Sequence, residues 1–334
     1  MSKPSRPIRV GVVGCGQAAA AHLQRLHAID GVEIGGLADP DRGAAESLQA
    51  TLSSAHGGPP PLFADHRELL ASQKLDAIAI FTPHRTHFQP TIDALQAGCH
   101  VFVEKPLSTN PQEADDIVRV ASARGLKVGV GHQYRLSGSL IEAKRLLQSE
   151  AIGRIRLVTA TLALPWLALH TGPEDSWRVD PRVSGGGIIA DAGDHLLDAL
   201  LWTTGRPAVE VAAIQERLAA GLDVVTAAAV RLADGILATL AVSGVSSTSL
   251  FEITYEGENG RIRVTETQGW IWSPGQSMQP LAVAQTATSI DGDFIAAIRE
   301  DRPPCCPADQ ALDTVRLTEA IGRSVASGQL VRVS

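Results

Sequence analysis

Six residues decide how this chain begins to fold: Gly14-Cys15-Gly16-Gln17-Ala18-Ala19, set between the apolar run Ile8–Val13 and a helix-periodic stretch. This is a G-x-G-x-x-A turn. The first glycine permits a tight strand-to-helix reversal, the second lets backbone approach a pyrophosphate, and the small third residue allows close helix–strand packing. The helix N-terminus then faces the phosphates with unbonded N–H groups. Gly14, Gly16, Gln17 and Ala18 are therefore candidate cofactor-binding residues. Asp39 ends the next strand-like run, 23 residues after Gly16. A carboxylate there accepts hydrogen bonds from ribose hydroxyls and repels a 2′-phosphate, which favours NAD over NADP. An Asp capping the next helix is the alternative role, and the nearby Arg42 keeps NADP open.

The first 130 residues alternate short apolar runs with helical patterns. Strands are expected at Ile8–Val13, Val32–Leu37, Leu62–Phe63, Ala77–Phe81, His100–Val103 and Lys127–Gly131. Such alternation implies right-handed βαβ units and a mainly parallel sheet. Asp65 followed by Glu68 predicts a capping box. Later the pattern changes to long β-like runs, with Ala233-Asp234-Gly235 and Glu258-Asn259-Gly260 where hairpin turns belong. The expected fold is α/β: a Rossmann domain over 1–130, then an α+β domain over 131–334 with a large, mostly antiparallel open sheet. A helix is expected from Gly185-Gly186-Gly187 to about Thr203, its glycines admitting a ligand or another backbone.

Composition narrows the partners. Twenty-nine basic against thirty-six acidic residues leave a net charge of −7, without the basic excess a nucleic-acid partner would call for. No apolar run approaches the roughly 20 residues that span a bilayer. The N-terminus runs into a strand without a signal-peptide core, so the expectation is a cytoplasmic protein. Cys15, Cys99, Cys305 and Cys306 lack the spacing of a zinc site and read as reduced thiols, and no metal is expected. Only five lysines occur.

One of them, Lys105, lies in Glu104-Lys105-Pro106, just past the strand His100–Val103, at the edge where α/β sheets place ligands. Its amine can bind a substrate hydroxyl and relay a proton; a surface pair with Glu104 is the plain alternative. Asp191 and His195 stand four apart on an expected helix, sharing a face that Asp198 continues. Such a pair suits general acid/base work, the carboxylate fixing the imidazole. Asp194 adds a carboxylate beside it. Thr82-Pro83 offers backbone to the nicotinamide half of a cofactor, and His87, more a structural residue, is counted with that turn. Trp166, Trp177 and Arg178 could roof a polar substrate or anchor the fold. His22 reads as an ordinary helix residue.

These strings together resemble the Gfo/Idh/MocA oxidoreductases. The resemblance rests on Gly14-Cys15-Gly16 with His22, Leu37-Ala38-Asp39-Pro40, Thr82-Pro83 with His87, Val103-Glu104-Lys105-Pro106-Leu107, and Asp191-Ala192-Gly193-Asp194-His195. It implies a bound NAD(P) and hydride transfer to or from a hydroxyl-bearing carbon of a sugar or cyclic polyol. It implies Lys105 at the reacting oxygen, His195 as acid/base, and Asp191 positioning substrate or His195. Beside these, Trp177, Arg178 and Asp194 are counted as substrate candidates, and Glu104 and Lys105 also as cofactor candidates. It also implies a homodimer or homotetramer through the C-terminal sheet. Where the family commonly has Asn after Thr-Pro, this chain has His84. The alternatives are an NAD-retaining glycoside hydrolase and a non-catalytic nucleotide sensor.

Overall fold

The computed structural model describes residues 6–52, 58–171, 177–218, 221–284 and 286–334, which form two compact units. In the first, β1 (Ile8–Val13), β2 (Val32–Ala38), β3 (Leu62–Phe63), β4 (Ala77–Ile80), β5 (His100–Val103) and β6 (Val128–Val130) make one sheet in the order β3-β2-β1-β4-β5-β6. All its pairs are parallel. β4 is buried along its whole length, the reason its sequence is a continuous apolar run instead of an alternation. The order reverses between β1 and β4, and at such a switch point the carboxyl ends of the strands open a crevice for ligands.

The helices of this unit follow the expected punctuation. In α1 (Gln17–His27) the buried residues Ala19, His22, Leu23 and Leu26 recur at helical spacing. Asp41 caps α2 (Arg42–Ala50) by accepting from the Gly43 and Ala44 N–H groups, so Asp39 is not that cap. Asp65 caps α3 (His66–Ser72), while Glu68 reaches back to the Ala64 N–H, a box shifted by one residue. α4 (Phe88–Gln96) and α5 (Pro111–Arg124) complete the crossovers.

A single cut after residue 130 does not describe the units. Residues 288–309 fold with the first, and 109–111 belong with the second. The return segment finishes a core that β5 and β6 leave open: Phe294 packs on Phe102 with ring centroids 5.7 Å apart, and Val130 N–H donates to the Cys306 carbonyl. Local patterning carries no sign of a cover supplied from so far along the chain.

The second unit is built on nine strands: β7 (Ile155–Ala163), β8 (Ala208–Arg217), β9 (Asp223–Leu232), β10 (Leu237–Ser243), β11 (Leu250–Gly257), β12 (Gly260–Thr265), β13 (Gly269–Trp272), β14 (Gln279–Pro280) and β15 (Val331–Arg332). Their order is β14-β13-β12-β11-β7-β10-β9-β8-β15, and only β7 and β10 run parallel. Asp234 and Gly235 take positive φ, +59° and +77°, in the β9–β10 turn, as Asp-Gly suggested. Helices α6 (Gly138–Gln148), α7 (Trp166–His170), α8 (Pro181–Ser184) and α9 (Ala192–Thr204) precede most of its strands and α11 (Ala308–Ser327) comes late, whereas α10 (Ile290–Arg299) lies in the return segment of the first unit. Leu140, Leu197, Leu200 and Ile321 join the inward strand residues in one core. No helix among the described residues is long and apolar enough to cross a membrane.

α9 starts at Ala192, seven residues later than the glycine run suggested. Gly185, at φ +82°, ends α8 instead. A Cβ on Gly187 would lie 2.0 Å from the Asp223 carbonyl oxygen. The run therefore admits another backbone, the start of β9, and the Asp223 carboxylate accepts from Gly187 N–H at 2.7 Å and Ile189 N–H at 2.9 Å. No rotamer change relieves a backbone clash. Gly187→Ala is expected to destabilise the second unit by about 3 kcal/mol, read as a lowered urea midpoint; a midpoint unchanged from wild type would disprove this packing.

Candidate active site

The turn after β1 carries its glycines for two different reasons. Gly14 adopts φ +88°, and a Cβ there would meet the Phe81 carbonyl carbon at 2.7 Å and Thr82 N at 2.8 Å. Gly16 caps α1 with ordinary φ, and a Cβ on it would meet nothing within 4 Å. The empty side of Gly16 is where a pyrophosphate can approach the helix N-terminus. Asp39 is half-buried, and its carboxylate accepts from Cys15 N–H at 2.7 Å and Asp41 N–H at 2.8 Å. These two bonds aim the carboxylate and leave lone pairs for ribose hydroxyls. Arg42 is exposed and its Nε pairs with Glu46 at 2.9 Å, one turn along its own helix. Burial, with the Asp39 charge beside it, pushes the Cys15 thiol up to about 12, so it stays protonated. At the end of β4 the Thr82 hydroxyl oxygen is buried with no partner in the protein. A buried orphan acceptor beside Gly14 fits the edge of a bound dinucleotide.

The neighbouring strand brings the second group. Lys105 is half-buried just past β5, and Lys105–Pro106 is a cis peptide. His87 is fully buried, with Nδ1 2.7 Å from the Pro106 carbonyl oxygen and Nε2 2.8 Å from that of Thr82. Burial holds the His87 pKa below its usual value, so the neutral ring donates its single N–H to one of these carbonyls and sets its other nitrogen against the second. His87 braces the Thr82 turn against the Lys105 turn, in keeping with its more structural reading. Behind Lys105, Glu104 lies 3.0 Å from His22 Nε2, and His22 Nδ1 lies 2.6 Å from Asp291. His22 is therefore no ordinary helix residue. Asp291 comes from the return segment, which nothing near positions 22 or 104 announces.

In the second unit, Asp191 stands at the N-cap of α9 without helical dihedrals, φ −99° and ψ −92°. Asp191 thus stands at the start of the helix, not within it as the four-residue spacing to His195 suggests. The bonds that orient the Asp191 carboxylate include Trp166 Nε1–H, donating to Oδ2 at 2.7 Å, and Arg178 Nε at 3.4 Å. Trp166 is buried in the core, and its indole positions Asp191 instead of roofing a substrate. Arg178 lies over the Trp177 ring at 4.5 Å, both half-buried. His195 is half-buried, with the Tyr134 ring at 5.0 Å and the His132 ring edge-on at 5.9 Å. Asp194 points inward, 3.4 Å from His132 Nε2. Asp198 is fully buried and takes Arg135 at 2.6 Å. Burial alone would raise the Asp198 pKa, but the charges of His132 and Arg135 outweigh it and hold the carboxylate low. His132 and Arg135 gave no sequence signal, since neither falls in a motif.

Known proteins are similar to this chain in sequence and fold. A family model described as an oxidoreductase family NAD-binding Rossmann fold matches residues 8–132, and the GFO/IDH/MocA C-terminal domain matches residues 140–271. The chain is 28% identical over 209 residues to D-glucoside 3-dehydrogenase of Escherichia coli K12, covering 62% of this chain and 56% of that protein. It thus spans little more than half the length of that relative. It is 25% identical over 327 residues to 4-carboxy-2-hydroxymuconate-6-semialdehyde dehydrogenase of Sphingobium, covering 93% and 96%. It superposes on the WlbA dehydrogenase from Bordetella pertussis in complex with NADH and UDP-GlcNAcA with a TM-score of 0.82, at 25% identity over 98% and 99% of the two chains. With both of its domain models matched and the glycine turn fitted to NAD, the chain belongs to the Gfo/Idh/MocA family of NAD-binding oxidoreductases.

Proposed function

We propose that this protein is an NAD-dependent dehydrogenase that oxidises a hydroxyl-bearing carbon of a sugar or cyclic polyol, or reduces the matching carbonyl. The observation that carries the reading is the His87 brace, which joins the cofactor turn after β4 to the Lys105 turn after β5 within one sheet. A lysine whose turn is braced against a nicotinamide-side turn suits redox chemistry at a carbon–oxygen bond. It would be idle in a nucleotide sensor. The names of relatives point the same way: a glucoside, a UDP-N-acetylglucosamine and an inositol dehydrogenase are among them.

NAD, when bound, supplies the hydride acceptor. Gly14, Gly16, Gln17 and Ala18 would hold its pyrophosphate, and Asp39 its adenosine ribose. In this proposal the Lys105 amine donates a hydrogen bond to the reacting oxygen. His195 takes the proton that leaves this oxygen, and Asp191, aimed by Trp166 and Arg178, orients substrate or His195. Trp177, Arg178 and Asp194 shape the substrate side. A glycoside hydrolase that retains NAD would use the same groups but give no net reduction of added NAD⁺.

The test is to mix purified protein with NAD⁺ or NADP⁺ and a panel of inositols, aldoses, glucosides and UDP-sugars, following reduced nicotinamide at 340 nm. Substrate-dependent NADH formation is expected. Lys105→Met should lower kcat by at least about 100-fold, the scale of a lost proton-transfer group, with NAD⁺ affinity little changed. Undiminished turnover in that variant would remove Lys105 from the chemistry, and glycoside cleavage without NADH would favour the hydrolase.

Asp39→Ala should weaken NAD⁺ binding about tenfold in calorimetry, the cost of losing hydrogen bonds to a charged acceptor. Binding of NADP⁺ should change far less. A mutant that discriminates as strongly as wild type would place specificity elsewhere.

The same reading extends to assembly. The outer face of the large sheet carries Ala212, Ala229, Thr239 and Thr159 side by side across β8, β9, β10 and β7, with Ile214 74% exposed on that face. Small, uncharged side chains on a broad sheet suit a second copy of the chain. Light scattering should report a dimer or tetramer that Ile214→Glu dissociates. A monomeric wild type would overturn it.

A further inference from the structure

The ring of His22 on α1 is buried between two carboxylates of the first unit. Its Nε2 lies 3.0 Å from Glu104 Oε1 and its Nδ1 2.6 Å from Asp291 Oδ1. Carboxylate oxygens only accept, so bonds at both nitrogens require both to carry a proton. The ring is then an imidazolium. Phe81 and Phe102 pack beside it with centroids at 4.7 and 5.3 Å. The charged groups facing it are Glu104 from the turn after β5, Asp291 from α10, and Arg25 from its own helix, whose Nε reaches Asp291 Oδ2 at 2.5 Å. Two cations thus balance two anions in a closed site.

Glu104 passes this constraint on. Its second oxygen, Oε2, accepts the Lys105 N–H at 3.1 Å. Its carboxylate also lies against Gly131, where a Cβ would come within 2.6 Å of Oε1. Glu104 is therefore held on one side by the bare backbone of Gly131 and on the other by His22. We propose that His22, as the imidazolium, is a positioning residue that holds Glu104 and through it the backbone of Lys105. The inference rests on the role given to Lys105 above.

The charge state agrees with the geometry. Burial alone would lower the pKa of His22, but the bonds and charges of Asp291 and Glu104 outweigh it and push it up to about 9. A histidine in an unfolded chain titrates near 6.5. The folded value is the higher one, so the stabilisation is complete below about pH 6.5 and is lost as pH rises through about 9. The Lys105 turn should loosen over that window.

The experiment combines exchange and kinetics on the full chain. In NMR of isotope-labelled protein, His22 should titrate near pH 9, and Asp291→Asn should bring this midpoint down by at least one pH unit. After correction for intrinsic rates, exchange of the Lys105 amide hydrogen should speed at least tenfold in His22→Gln, and in wild type it should rise with the His22 titration. With the panel substrate that reduces NAD⁺ fastest, His22→Gln should lower kcat at least fivefold and leave KM for NAD⁺ unchanged. In a Lys105→Met background the same substitution should cost nothing more, because residues acting through one another are not additive. A His22 midpoint near 6.5, unaltered Lys105 exchange in a folded His22→Gln, or equal kcat losses in both backgrounds would each overturn the proposal. Full turnover by Lys105→Met alone would sink the role of Lys105 instead, and the exchange data would still judge His22.

Discussion

The first unit depends on a contact that a missing side chain allows. Gly14 lies so close to the Phe81–Thr82 backbone that a Cβ would overlap it at 2.7 Å, and its φ of +88° is closed to most residues. With that contact made, β1 and β4 lie side by side and their two turns face the same crevice. Everything the cofactor would touch is placed relative to this point: the open flank of Gly16, the orphan hydroxyl of Thr82, and Asp39 held by the Cys15 N–H. The next strand over carries Lys105, and His87 spans the gap between turns. One steric fact thus sets where both turns of the candidate site lie in this unit.

The second unit repeats the device with different residues. Gly187 presses on the Asp223 backbone, and the Asp223 carboxylate takes two N–H groups of the same segment. This fixes where α9 begins, and so fixes which way Asp191, Asp194 and Asp198 point. A helix starting at Gly185 would set those carboxylates in one row. The actual start at Ala192 turns Asp191 toward Trp166 and Arg178, and buries Asp194 and Asp198 beside His132 and Arg135.

The division between what the sequence discloses and what it hides follows from range. Parallel strands of the Rossmann sheet declare themselves as apolar runs, and all six fall within one residue of their expected ends. The turn signals at Asp65 and Asp234-Gly235 are equally local, and both appear in the folded chain, the Asp65 box with Glu68 reaching Ala64 N–H. The edge strands Gln279–Pro280 and Val331–Arg332, and the short Gly269–Trp272 beside the first of them, carry no sequence signal, because so few residues cannot sustain an alternation. Roles set by distant partners stay hidden for the same reason. His22 owes its state to Asp291, 269 residues away. The brace at His87 depends on the carbonyl of Pro106, and the orientation of Asp191 on an indole 25 positions earlier. Motif recognition marks such residues without saying what holds them.

Both units sink several charged groups below the surface next to a candidate reactive side chain. Desolvating such groups costs several kcal/mol each, and a well-paired buried set adds little net stability over apolar packing. Their value has to be sought in direction. A carboxylate held at two points by an imidazolium and a backbone N–H cannot wander, whereas a leucine in its place would leave Lys105 free to choose among rotamers and turn geometries. The same holds for Asp198, whose charge is kept by Arg135 and His132 at the base of the helix carrying His195. Chemistry at a carbon–oxygen bond tolerates misplacement of its proton donor and acceptor by only a fraction of an ångström. A chain that spends buried charge behind both of its candidate proton-transfer residues is built to hold them still.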